Sequence, residues 1–204
     1  MAKNEQKTEQ RSGRILGRRY RYTDDYKVLP ALGGSRERRV LYTAPWTALK
    51  LDEEAWKTLV LRLRILTAAA VLAFIAAFLL PIDWQSKWYM PALALACFPL
   101  AYQVMAAAVL PSAKKPLERQ QYDKSFVRLS HSAVFALVLI CLSALGCAVF
   151  WILAAAGVLE TLTFSPRDAA FAALLILMAA VELLTHRLCR GIETETLENS
   201  AYSG

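Results

Sequence analysis

The sequence predicts an all-α membrane protein with four transmembrane helices, a cytoplasmic N-terminal β-hairpin and an interfacial amphipathic helix. Three observations carry that expectation. Hydrophobic residues make up 56% of the 204-residue chain, whose mean hydropathy is +0.33. They lie in long blocks, at 65–80 (extended by Leu61 and Leu63), 88–110, 129–159 and 169–188, while a hydrocarbon core of ~30 Å needs about 20 apolar residues to cross. The cations are placed very unevenly: fifteen of the 24 Lys and Arg precede Ile65, five lie between the second and third blocks, and two, Arg187 and Arg190, sit at the end of the fourth. Lys87 and Arg167 are alone in the other two connections. The positive-inside rule then puts both termini and the middle loop in the cytoplasm, with 22 cations inside against 2 outside, in an inner or plasma membrane.

Residues 1–18 are charged and poor in aromatics, the composition of a disordered basic tail. With no apolar signal region among them, the first span is expected to remain as an anchor. Residues 19–48 carry short alternating runs at Tyr20 and Tyr22 and at Val40 and Tyr42. Pro30 and Gly33-Gly34-Ser35 lie between these runs and supply turn chemistry, so the segment reads as an antiparallel hairpin. Its basic and aromatic mixture suits anionic lipid headgroups; nucleic acid is not an expected partner.

The stretch 49–64 reads as the interfacial helix. Asp52 is a plausible N-cap, Glu53 and Glu54 suit a first helical turn, and Trp56, Leu59, Val60 and Leu63 make one apolar stripe. Trp56 is expected at headgroup level, with Arg62 and Arg64 off the stripe at the lipid interface. This helix either bends against the first span or runs into it.

The first outer connection is short, so spans one and two are an antiparallel pair, with Trp84 and Trp88 in an aromatic belt. Pro91 and Pro99 predict a kink near residues 95–99 of span two. In the middle loop, residues 118–128 read as a helical lead into span three. Residues 65–190 form the transmembrane domain, and 191–204 a cytoplasmic tail. Ala69, Ala73 and Ala77 in span one repeat every four residues, the spacing that lets helices approach closely in lipid. Cys97, Cys141 and Cys147 fall within spans and Cys189 at the inner end of span four. None lies where a disulfide would persist.

Span four contains the one acid of the apolar blocks, Glu182, at a depth where insertion costs about 2.5–3.5 kcal/mol. At 100° per residue, Ala172, Ala179, Glu182, His186 and Cys189 share a face, while Leu174, Leu177, Val181, Leu184 and Leu188 cover the opposite one. Glu182 therefore points into the bundle. Thr67, Gln103 and His131 lie at the same inner level, and with Glu182 and His186 they define an expected polar cluster. Glu182 is expected to pair with His186, His131 or Arg128 and lock the helices. Two other readings compete: a proton or cation site, and a metal site made by Glu182, His186 and Cys189, although that spacing matches no strong zinc pattern.

No HExxH, GxSxG, P-loop or GxGxxG pattern occurs, so hydrolase and nucleotide sites have no support and no cofactor is expected. The expected role is non-catalytic: an accessory or interaction subunit whose basic cytoplasmic face binds anionic lipid and either a protein partner or a second copy. The alternative is a small transporter or permease subunit that uses Glu182.

Overall fold

The computed structural model describes residues 25–29, 39–81, 87–157 and 166–197. The tail 1–18, Tyr20, Tyr22 and Trp84 lie outside them. Most described residues are helical. The chain divides into two compact units, one of residues 1–48, 116–120 and 194–204, the other of 49–115 and 121–193.

In the first unit, β1 (Tyr26–Leu29) pairs antiparallel with β2 (Arg39–Tyr42), Tyr26 opposite Tyr42 and Leu29 opposite Arg39. The described strand opposite β2 begins at Tyr26. Cross-strand aromatic contact sets the register: the Tyr26 and Tyr42 rings meet edge to face at 5.2 Å, and Tyr42 meets Trp46 at 4.9 Å. The Tyr26 hydroxyl donates to Glu118 Oε2 at 2.6 Å. Burial, and then this carboxylate, push the Tyr26 phenol above its ordinary pKa.

A second two-stranded sheet joins β3 (Trp46–Leu49) to β4 (Thr194–Leu197), the latter in a stretch the sequence left as tail. Thr47 and Leu117 exchange both backbone hydrogen bonds, at 2.9 and 2.8 Å. Strand β4 reads TETL, mostly exposed, with no apolar alternation to announce it.

The second unit holds the long helices. Helix α1 (Glu53–Leu79) is capped by Asp52, whose Oδ1 accepts from Ala55 N at 2.6 Å, with Glu53 and Glu54 in its first turn. No boundary separates an interfacial helix at 49–64 from a first span. The segment contains neither proline nor glycine, and one buried stripe (Trp56, Val60, Leu63, Thr67, Ala70, Ala73, Ala77) runs its whole length. Span two is split into α2 (Met90–Leu95) and α3 (Cys97–Val109). Pro99 has no N–H for the Leu95 carbonyl, and the chain tightens at Ala96, whose N–H turns to Leu93 O at 2.9 Å. This interruption lies within residues 95–99, where the prolines predict a kink.

Helix α4 (Arg119–Tyr122), a π-helical turn (Asp123–Val127) and α5 (Arg128–Ala155) continue as one rod of 37 residues. It stops short of residue 159 because Gly157 adopts φ +70, the left-handed conformation that ends helices. Helix α6 (Pro166–Arg190) opens on proline, which needs no N–H partner in the first turn.

The helical segments Glu53–Leu79, Met90–Val109, Arg119–Ala155 and Pro166–Arg190 are each long and apolar enough to cross a membrane. Helix α6 packs on α1 and α5, α5 on α2 and α3, and α1 on α3, a closed ring of four rods. Between them lies an apolar core that includes Ala73, Ala77, Leu93, Leu100, Ile140 and Leu175. The outward surface is apolar too: Leu72, Phe135 and Ile176 stand 67%, 68% and 70% exposed.

Candidate polar sites in the helical bundle

The inward face of α6 is set by a 3.5-residue repeat. Asp168, Phe171, Leu175, Met178, Glu182, Thr185 and Cys189 are all buried, at alternating intervals of three and four. Large side chains take the interior of the ring, so the face is rotated from the one expected. Ala172, Ala179 and His186 are half-buried flanks, and Val181, expected to face lipid, is buried. Leu177 and Leu184 do face outward.

Glu182 is fully buried, and its partner is Gln103 of α3, also fully buried, whose Nε2 donates to Glu182 Oε2 at 2.6 Å. The other oxygen of each group, Glu182 Oε1 and Gln103 Oε1, is sealed from solvent with no hydrogen-bond partner. The pairing with His186, His131 or Arg128 is therefore corrected. The next helical turn carries His186 sideways, and its Nδ1 lies 3.0 Å from Ser130 Oγ on α5. His131, the next residue on α5, is exposed, and the Arg128 guanidinium sits 5.7 Å over the Tyr102 ring. Thr67 turns back on its own helix and donates to Leu63 O at 2.9 Å. Of the five residues expected to cluster, only Glu182 and Gln103 are joined.

The interfacial residues also separate. Trp56 does not lie at a headgroup surface; it is fully buried, edge to face with Phe126 at 5.9 Å. It heads the inward stripe of α1, and the periodicity that suggested an interfacial helix marks a bundle-facing one. Arg62 and Arg64 are exposed, and Arg64 Nη2 donates to Leu110 O at 2.9 Å. Trp88 is 60% exposed. Among the described residues no three His, Cys, Asp or Glu side chains come together as a metal-holding group, so Glu182, His186 and Cys189 do not form one.

The sequence reading missed one feature. Lys87 Nζ lies 3.2 Å from Asp168 Oδ1, each side chain only 6% exposed. The ammonium also sits 4.0 Å over the Phe150 ring, and Tyr89 packs on Phe150 and Phe171 at 5.8 and 5.9 Å. Asp168 is on the inward stripe fourteen residues before Glu182, about 21 Å along the helix at 1.5 Å per residue. Extending that stripe back to the first turn of α6 is the signal the sequence offers for Asp168, whereas charge distribution alone assigns Lys87 no partner. Close packing holds this end shut. A Cβ on Gly146 would come 2.6 Å from the Tyr89 Cβ, and Ser143 Oγ donates to Tyr89 O at 3.3 Å.

Chemically, Gln103–Glu182 ties α3 to the later half of α6, and Lys87–Asp168 ties the chain three residues before α2 to its first turn. No known protein family, curated protein or solved structure matches the chain.

Proposed function

We propose that the chain is an integral protein of an inner or plasma membrane with both termini in the cytoplasm. Its role is non-catalytic: it serves as an accessory subunit whose basic cytoplasmic face engages anionic lipid and a protein partner. Four long apolar helices with apolar outer faces support membrane insertion, and the 22-to-2 split of the cations supports the orientation.

The observation that carries the accessory role is the Gln103–Glu182 contact. The intramembrane acid is bonded to a neighbouring helix and wholly closed off, which suits a contact that fixes helix register. Purification of the tagged chain in mild detergent, followed by identification of co-purifying proteins, tests this role. A stoichiometric partner transporter or enzyme is the expected result, and a clean homo-oligomer favours a permease. Cysteines placed at Ser86, Ser165 and Ser112 in a background lacking the four native ones test orientation. The first two should react with an impermeant reagent from outside, and the third should not.

A second reading, a transporter using Glu182, is favoured by one observation: two sealed, unpartnered oxygens face no donor. Glu182→Gln separates the two readings. A stable variant that fails to complement a deletion strain supports proton coupling, because an amide cannot release a proton at physiological pH. A variant that complements fully supports the structural contact.

A further inference from the structure

Where α5 begins and α6 ends, a cavity of about 260 Å³ opens to the surface. We propose that it holds the phosphate of one anionic phospholipid headgroup. The inference rests on the membrane reading above, which places this end of both helices at the cytoplasmic headgroup level.

The lining is two-sided. Phe126 and Val127 form an apolar floor, and Ser130, His131, Tyr122 and Arg190 supply donors around it. The floor is fixed from beneath, since Phe126 is buried against Trp56 and its ring lies 5.8 Å from that of Tyr122. The π turn gives the cleft its form. Arg128 N–H reaches back five residues to Asp123 O, and Ser125 Oγ takes the carbonyls of Gln121 and Tyr122 at 2.7 and 3.3 Å. Wide turns of this kind recur at functional sites because they re-aim the side chains on either side.

Charge favours an anion. Arg190 and Arg187 are exposed on the last turn of α6, Lys124 is exposed on the π turn, and Arg128 follows it with its guanidinium over the Tyr102 ring. The nearby acids are Asp123 on the π turn and Glu193, which is 81% exposed and lies 4.0 Å from Lys50. Arg190 provides the fork geometry that matches phosphate oxygens, and the aromatic floor suits the first carbons of glycerol and acyl chain. The volume is too small for a large soluble ligand, whose pockets begin at roughly 300 Å³. It suits a headgroup whose chains leave along the apolar flank of the bundle.

The test uses the full chain in mild detergent, with native mass spectrometry as readout. Delipidated protein is offered phosphatidylglycerol, phosphatidylcholine, or inorganic phosphate. One phosphatidylglycerol per chain should be retained in preference to phosphatidylcholine, and millimolar phosphate should not displace it. Arg190→Gln and His131→Gln should each weaken retention, by about fivefold for the arginine, with Arg190→Lys recovering part of it. Arg167→Gln, at the far end of α6, should change nothing. Melting temperatures separate a lost site from a lost fold. Equal retention of both lipids, or retention indifferent to Arg190 and His131, overturns the proposal. Displacement by inorganic phosphate overturns the lipid assignment and leaves a phosphate site. Alkaline extraction of membranes is run alongside: a chain that washes off refutes the membrane reading, whereas a retained chain without selective lipid refutes only the cleft.

Discussion

Removing the Asp168 carboxylate puts the closed end of the bundle to a quantitative test. Lys87 and Asp168 meet at 3.2 Å with each side chain only 6% exposed. Asp168→Ala leaves a buried ammonium whose remaining described contact is the Phe150 ring, 4.0 Å from Nζ. Loss of one member of a buried pair costs about 3–5 kcal/mol, and the cation–π contact, present before and after the substitution, offsets none of it. The variant should therefore lose about 3–5 kcal/mol. Replacing both partners with apolar residues, Lys87→Met with Asp168→Leu, should be nearly neutral, because no unpaired charge remains. The molecule supplies its own control: Lys57 and Glu53 are closer, at 2.8 Å, but 61% and 64% exposed. Breaking that solvent-screened i,i+4 pair should leave stability almost unchanged. Reversible unfolding of the full chain in mixed micelles, carried through the double-mutant cycle, reads all of these values. If Asp168→Ala costs no more than the exposed pair, the argument from burial is wrong.

Three further outcomes are expected. Gln103→Leu removes the partner of Glu182 and should destabilise by about 1–3 kcal/mol in the same assay, with Gln103→Leu/Glu182→Leu recovering most of the loss. Gly146→Ala should cost about 1–3 kcal/mol, because its Cβ meets the Tyr89 Cβ at 2.6 Å, an atom too close to the backbone to swing aside; a loss within 0.5 kcal/mol would show that α5 can shift. The Tyr26 phenol, raised in the folded state, contributes stability that is fully present below its unfolded pKa of about 10 and is lost as pH rises through the folded value. Phenolate absorbance should therefore appear late for this tyrosine, and Tyr26→Phe should shrink the late component by one tyrosine; a late component unchanged in that variant would contradict the contact with Glu118.

The four long helices were legible because each depends on composition over some twenty residues, and the break at Ala96 because proline acts locally. That Glu182 points inward was legible too, since the faces of one helix follow from its own periodicity. Its partner was not. Gln103 lies 79 residues away, and a helical wheel cannot say how one helix is rotated against another. His186 was the nearer candidate in sequence, yet it reaches a different helix. Trp56 shows the same limit from the other side: an apolar stripe beside arginines fits a headgroup surface and a protein interior equally well, and only the packing against Phe126 decides. Strand β4 had no pattern to read, because the backbone of β3 pairs it and its side chains do not.

That last pairing constrains how the chain can be made. Strand β3 precedes the first long helix and β4 follows the last, so the two can meet only if the intervening helices return the chain to the side from which it set out. In a membrane this is a parity condition: an even number of crossings closes the sheet, and one skipped or inverted helix leaves β3 and β4 on opposite sides. Because residues 194–197 follow every long helix in the chain, β3 cannot gain this partner until the last of those helices has been made.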